Sequence, residues 1–167
     1  MQKLNTGYYK TFAAFSLMLM ISSCSNTKFL QEGQMLYTGA KITVKNDTLS
    51  KKEKSNLKDA LQEQLRPKPN SSFLGLRPRL YVYNITKEPK KQKGIGYWLK
   101  YKIGEKPVLL GDVDREFNKK IIVNYSENKG FFNAEASSDT IAKNKKAQVL
   151  YTVKPGARYL ISQVNFP

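Results

Sequence analysis

GEKPVLLGDVDREFNKKIIVNYSENKGFFNAEASSDTIAKNKKAQVLYTVKP, residues 104–155, decides the fold. Val113, Phe117, Ile121 and Tyr125 recur every four residues and Ile122 widens the stripe, so Asp112 to Lys129 reads as a helix with one buried face. Asp112 stands where an N-cap is needed, and Asp114 and Glu116 place negative charge in the first turn. Gly130 suits a left-handed C-cap after Lys129. Phe131 to Ser137 reads as extended. Ala147, Val149, Tyr151 and Val153 alternate with polar positions as a half-buried strand does, and Pro155-Gly156 marks a turn. With the apolar run Pro107 to Leu110 ahead of the helix, the stretch predicts a small α+β layer.

Three motifs in this stretch carry a resemblance. Gly130-Phe131-Phe132-Asn133-Ala134 resembles the helix-to-strand junction of POTRA domains. Val149 to Gly156, followed by Tyr159-Leu160-Ile161 and Val164-Asn165-Phe166, resembles a POTRA third strand leading into the first strand of another repeat. Gly104-Glu105-Lys106-Pro107-Val108 is similar to the Gly-Glu-Pro-Pro-Val motif of lipid-anchored members of the BamA/TamA outer-membrane assembly family, with Lys106 in place of the first proline.

The chain has 167 residues, one cysteine and no histidine, with 29 Lys+Arg against 13 Asp+Glu and a formal net charge of +16. That length suits one or two small domains. Without histidine, most metal sites and nucleophilic triads are excluded. The excess of lysine favours nucleic acid, anionic lipid or acidic partners; the competing reading is a solvated surface, because the lysines are spread along the chain.

Residues 1–23 read as a signal peptide. Lys3 and Lys10 form its basic start, and Thr11 to Ile21 is an apolar run shorter than the roughly 20 residues a spanning helix needs. Ile21-Ser22-Ser23-Cys24 resembles a bacterial lipobox, which implies a diacylglyceryl and N-acyl (palmitate-type) anchor on Cys24. Two such signals give stable membrane attachment. Loss of Lys3 and Lys10 would leave a mature chain of charge +14, two lysines fewer. Ser25 rather than Asp after the cysteine resembles the outer-membrane sorting signal, and no acidic run follows. The expected location is the periplasmic face of the cell outer membrane.

Residues 24–38 read as a tether, and Thr27 to Leu30 with Glu32-Gly33 resembles the opening of the lipid-anchored assembly proteins. Lys41 to Lys45 alternates as a short strand and Asn46-Asp47 as a turn. Ser50 to Leu65 is a helix with a Ser50/Glu53 capping box, an apolar face of Leu57, Ala60, Leu61 and Leu65, and a stop at Pro67. Pro67 to Asn70 with Phe73-Leu74-Gly75 resembles a loop of the same family. Leu80 to Ile85 is a strand or short helix, and Lys87 to Lys93 a basic linker. Gly94 to Lys102 is a short helix with Ile95, Trp98 and Leu99 on one side, where Trp98 reads as core or inter-unit packing. The resulting division is a divergent POTRA-like unit at 39–86, a linker at 87–103, a second unit at 104–157 and the first strand of an incomplete third at 158–167. No barrel strands follow, so the chain reads as truncated before a barrel and unable to insert clients alone.

No catalytic constellation emerges, and the chain reads as a non-enzyme without cofactor or metal. Gly94-Ile95-Gly96 lacks a third glycine and a framing strand–helix unit, so it is not a dinucleotide fingerprint. Asp112, Asp114 and Glu116 serve the helix dipole. Recognition remains. The resemblance implies that the second POTRA strand, starting at Phe132, lies at the sheet edge, with Phe132, Ala134 and Ala136 on one face. The expected partner-binding edge is therefore the backbone of Asn133, Ala134, Glu135, Ala136 and Ser137, taking unfolded outer-membrane proteins or assembly subunits as an added strand. The alternatives are an edge covered by a neighbouring unit, and a free-standing periplasmic scaffold lipoprotein of the envelope. Nucleic acid is not an expected partner, since the aromatics do not interleave with a basic patch.

Overall fold

The computed structural model describes residues 26–160, 163 and 164. The expected signal peptide and Cys24, the expected lipid-attachment residue, lie outside the described residues. The chain is α+β and divides into two compact units, one comprising 30–70 with 107 onward and the other 71–106 with the turn Asn26–Phe29.

The larger unit is a three-stranded mixed sheet under two helices. Strand β1 spans Leu36–Val44 and helix α1 Lys51–Gln64. After the inserted segment come helix α4, Arg115–Glu127, and strands β2, Glu135–Lys143, and β3, Lys146–Lys154. The strand order is β1-β3-β2, with β1 parallel and β2 antiparallel to β3. Val149, Tyr151 and Val153 of β3 point into a core shared with Ile42, Leu57, Leu61, Leu65, Val113, Ile122 and Phe131, and Ala147 is buried at the alternating position before them. The alternating positions Lys41, Thr43, Glu135, Ser137 and Asp139 are exposed on the other face. One face is thus apolar and covered by helices, the other polar.

This topology corrects the expected division into a unit at 39–86 and a second at 104–157. β1 and α1 form no sheet of their own. β1 pairs with β3 over Leu36↔Lys146 to Val44↔Val153, so the strand–helix half near the N-terminus completes the helix–strand–strand half that follows. A lone strand with one helix cannot satisfy its backbone or bury its apolar face; the parallel slot beside β3 does both. β1 also begins at Leu36, and Leu36 and Tyr37 are buried, so the expected tether over 24–38 ends earlier. A bulge between Tyr37 and Ala40 is accommodated by Gly39 at φ 127°.

Helix α1 begins as its sequence requires. The Ser50 hydroxyl accepts from Glu53 N–H at 3.3 Å, while the Glu53 carboxylate accepts from Ser50 N–H at 3.0 Å. The Ser50 hydroxyl, which also donates to the Glu53 carboxylate at 2.7 Å, and then the Ser50 N–H hold that carboxyl below its ordinary pKa. In α4 the N-cap is Asp114, not Asp112: Phe117 N–H donates to Asp114 at 2.9 Å, and Asp112 instead accepts from Leu109 N–H at 2.8 Å in the preceding 3₁₀ turn, Leu110–Asp112. The buried stripe turns with it. Asn118 and Ile122 are 0 % exposed, whereas Phe117 is 54 % exposed. Gly130 closes the helix at φ 89°, and an added Cβ there would lie 2.6 Å from the Tyr159 carbonyl oxygen.

Tyr159 N–H donates to Gly130 C=O at 2.8 Å, and the Tyr159 ring lies 5.7 Å from that of Phe132. Tyr159 and Leu160 therefore form no strand, contrary to the expected start of a third unit at 158–167; residues 161, 162 and 165–167 lie outside the description.

The smaller unit carries helix α2, Pro78–Ile85, and helix α3, Ile95–Trp98, which continues through a π-helical turn, Leu99–Ile103. Pro78 at the first turn, where no N–H is needed, settles the strand-or-helix ambiguity at Leu80–Ile85. Lys100 is 9 % exposed and satisfied: its ammonium donates to Thr86 C=O at 3.0 Å, pairs with Glu88 at 3.1 Å and lies 4.7 Å from the Tyr83 ring centre. Ile95 and Trp98 are exposed, which corrects the first of the two settings expected for Trp98, packing in a core. Leu99 and Lys100 are the residues turned inward here.

Candidate docking edge

The two sheet edges differ. The outer edge of β1 is partly occupied. Tyr37 N–H donates to Val108 C=O at 2.9 Å, Leu110 N–H to Met35 C=O at 2.9 Å, and Gln62 Nε2 to Ala40 C=O at 3.0 Å. Strand β2 has β3 on one side and no strand on the other among the described residues.

Which β2 groups face outward follows from the hairpin. Asn144 and Lys145 form a two-residue loop with φ of 52° and 57°, the geometry that matches strand twist. The flanking pair Lys143↔Lys146 then exchanges both ladder bonds, as do Ile141↔Gln148, Asp139↔Leu150, Ser137↔Thr152 and Glu135↔Lys154. The intervening residues, Ala136, Ser138, Thr140 and Ala142, turn their N–H and C=O outward. Thr140 supports this assignment, because its N–H donates to the Asp139 carboxylate at 2.7 Å rather than to a partner on β3. Arg115 Nη1 of α4 also donates to the Thr140 hydroxyl at 3.3 Å. Among the described residues, the edge is therefore obstructed at Thr140, while Ala136, Ser138 and Ala142 turn their backbone outward with no strand beside them.

Of the expected edge residues, Asn133 sits in the turn before the strand, with its Cβ 3.3 Å from where a side chain on Gly156 would begin. Ala134 also precedes the strand and packs on the core. Glu135 and Ser137 belong to β2 but direct their backbone groups to β3. Ala136 alone among the five is a strand residue with outward backbone. The strand starts at Glu135 rather than Phe132, and Phe132 is 61 % exposed in the preceding turn. The edge extends to Lys143, past the expected end at Ser137. The signal for that extension was Asn144-Lys145, since Asn readily adopts the left-handed conformation of a tight hairpin.

Two shallow depressions flank the edge on the sheet. One, about 410 Å³, is lined by Glu135, Ala136, Ser137, Thr152 and Lys154. The other, about 330 Å³, lies near the hairpin and includes Thr38, Ile141 and Gln148. Ile141 is 56 % exposed. Glu135, Asp139 and Lys143 place charges along the strand, a usual guard against indiscriminate edge pairing. An apolar groove of about 290 Å³ lies between α1 and α4, bordered by Leu57, Ala60, Tyr125, Phe131 and Arg158.

Among the described residues, no group of three His, Cys, Asp or Glu side chains is placed to hold a metal ion, and no helix is long and apolar enough to cross a membrane. Comparison with protein-family models, curated proteins and solved structures gave no match.

Proposed function

We propose that this chain is a lipid-anchored POTRA-like module of an outer-membrane protein assembly or translocation factor, held at the periplasmic face of the outer membrane, and that it docks unfolded barrel proteins or assembly subunits by adding their strand to β2. The observation that carries the reading is the open, outward backbone of Ala136, Ser138 and Ala142 on an edge strand. Backbone pairing tolerates varied client sequence, and the depressions beside the edge offer places for alternate side chains. The resemblance of residues 104–156 to POTRA motifs and of Ile21–Cys24 to a lipobox supports the setting.

The test is photocrosslinking in the cells of origin, with a photoreactive residue at Ser137 or Ile141 on β2 and at Lys41 on β1 as control. Crosslinks to barrel precursors or assembly subunits from β2 alone are expected. Silence from β2 in a folded, anchored protein would refute the docking edge and favour a scaffold lipoprotein.

A further inference from the structure

We propose that the segment Lys87 to Trp98 of the smaller unit is a docking patch for a membrane surface bearing anionic phospholipid headgroups. Ile95 is 78 % and Trp98 53 % exposed. They stand three residues apart on α3 and are therefore neighbours on its outer side. The loop leading into this helix exposes Lys87, Lys90, Lys91 and Lys93. Its one carboxylate, Glu88, is engaged by the Lys100 ammonium and the Tyr101 hydroxyl, so it does not offset these lysines locally.

The loop also has a defined seat. Pro89, Lys90, Lys91 and Gln92 border a hollow with Tyr97 and Tyr101, whose rings lie 5.0 Å apart. The Tyr101 hydroxyl donates to the Glu88 carboxylate, which ties the loop to that ring shelf. A short helix presenting an aliphatic and a tryptophan side chain beside a lysine cluster has the composition of an interfacial contact. The apolar pair enters the headgroup boundary, tryptophan favours that depth, and the ammonium groups meet lipid phosphates.

The place of this unit in the chain agrees. The turn Asn26–Phe29 belongs to it: Asn26 Nδ2 donates to Arg77 C=O at 3.3 Å, and the Phe29 ring lies 6.4 Å from Tyr81. Asn26 follows Cys24 by two residues, a reach of about 7 Å. The lipid proposed on Cys24 would hold the patch at the bilayer and raise its effective concentration there. The inference uses that anchor only for proximity and is independent of docking at β2.

Trp98 is the only tryptophan in the chain, so its emission reports this patch alone. The full chain is mixed with neutral phosphatidylcholine vesicles or with vesicles containing phosphatidylglycerol, with and without lipid brominated near the headgroup. In anionic vesicles Trp98 emission should shift to the blue and be quenched about twofold by the brominated lipid, as expected for a ring at the acyl boundary. The triple variant Lys90→Glu, Lys91→Glu, Lys93→Glu, checked for native circular dichroism, should need about a hundredfold more anionic lipid, at roughly fivefold per lysine. Ile95→Ser should weaken the shift without changing its dependence on anionic lipid. Unchanged Trp98 emission while the chain sediments with vesicles would overturn the proposal, as would equal shifts in neutral vesicles or a shift produced by an oligonucleotide but not by lipid. Crosslinks at β2 can fail with the Trp98 result intact, and the reverse, so the two claims are separable.

Discussion

The side chain of Asn118 holds both backbone polar groups of Arg66. Arg66 N–H donates to Asn118 Oδ1 at 3.0 Å, and Asn118 Nδ2 donates to Arg66 C=O at 2.6 Å. Asn118 is 0 % exposed in the first turn of α4, a position that an apolar stripe alone would assign to a hydrophobe. This clamp ties α4 to the end of α1 across the inserted segment. Asn118→Ala should therefore destabilise the larger unit by about 1–3 kcal/mol, the cost of leaving a peptide group without partners. Asn118→Leu should not restore stability although it fills the volume. Urea unfolding of both variants provides the check; wild-type stability in Asn118→Leu would mean that the clamp contributes only packing.

The outward assignment of alternate β2 residues makes a second prediction. Ser138→Pro removes an N–H that faces away from β3, so stability should fall by less than about 1 kcal/mol while docking is lost. Asp139→Pro removes a ladder donor to β3 and should cost about 3 kcal/mol. Thermal unfolding separates the two, and equal destabilisation by both would show the assigned alternation to be wrong.

Burial raises the phenol of Tyr37 to about 12, with Tyr151 nearby adding to the shift, and Tyr151 is itself raised chiefly by burial. A group whose pKa is higher in the folded state stabilises the fold fully below its unfolded value, near 10, and loses that contribution as pH rises toward 12. Between pH 10 and 12 the wild type should lose stability more steeply than Tyr37→Phe, by on the order of 1 kcal/mol per pH unit. Parallel stability curves for the two proteins would show that Tyr37 ionises without opposing the fold.

If residues 71–106 are an insertion, the larger unit should fold without them. Asn70 and Val108 flank the insertion, and Val108 N–H donates to Asn70 Oδ1 at 2.9 Å, so a short Gly-Ser bridge has little distance to cover. The excised chain should keep cooperative unfolding and the chemical shifts of β3. A molten chain would show that β1 and α1 need the smaller unit to reach β3.

Local signals in the sequence were sufficient where one stretch determines its own structure. The Ser50/Glu53 cap, the alternation of β3 and the left-handed Gly130 are each visible within a few residues. The pairing of β1 with β3 was not legible, because it joins residues more than a hundred positions apart and a 36-residue insertion hides the continuity. The rotation of α4 escaped for a different reason. Phe117 and Asn118 are adjacent, and only the peptide at Arg66 explains why the amide is inside and the ring outside. The expected edge, Asn133 to Ser137, overlaps β2 only from Glu135, and the strand runs on to Lys143 because its end is set by the two-residue loop Asn144-Lys145, which lies outside that stretch.

Amide hydrogen exchange on the isotopically labelled chain, with and without a ten-residue peptide of alternating barrel-strand pattern, tests strand addition at β2 most directly. The account predicts added protection at alternate amides, Ala136, Ser138 and Ala142, with Ser137, Asp139 and Ile141 unchanged because they already bond to β3. Peptide binding with no added protection on β2, or with protection confined to β1, would contradict it.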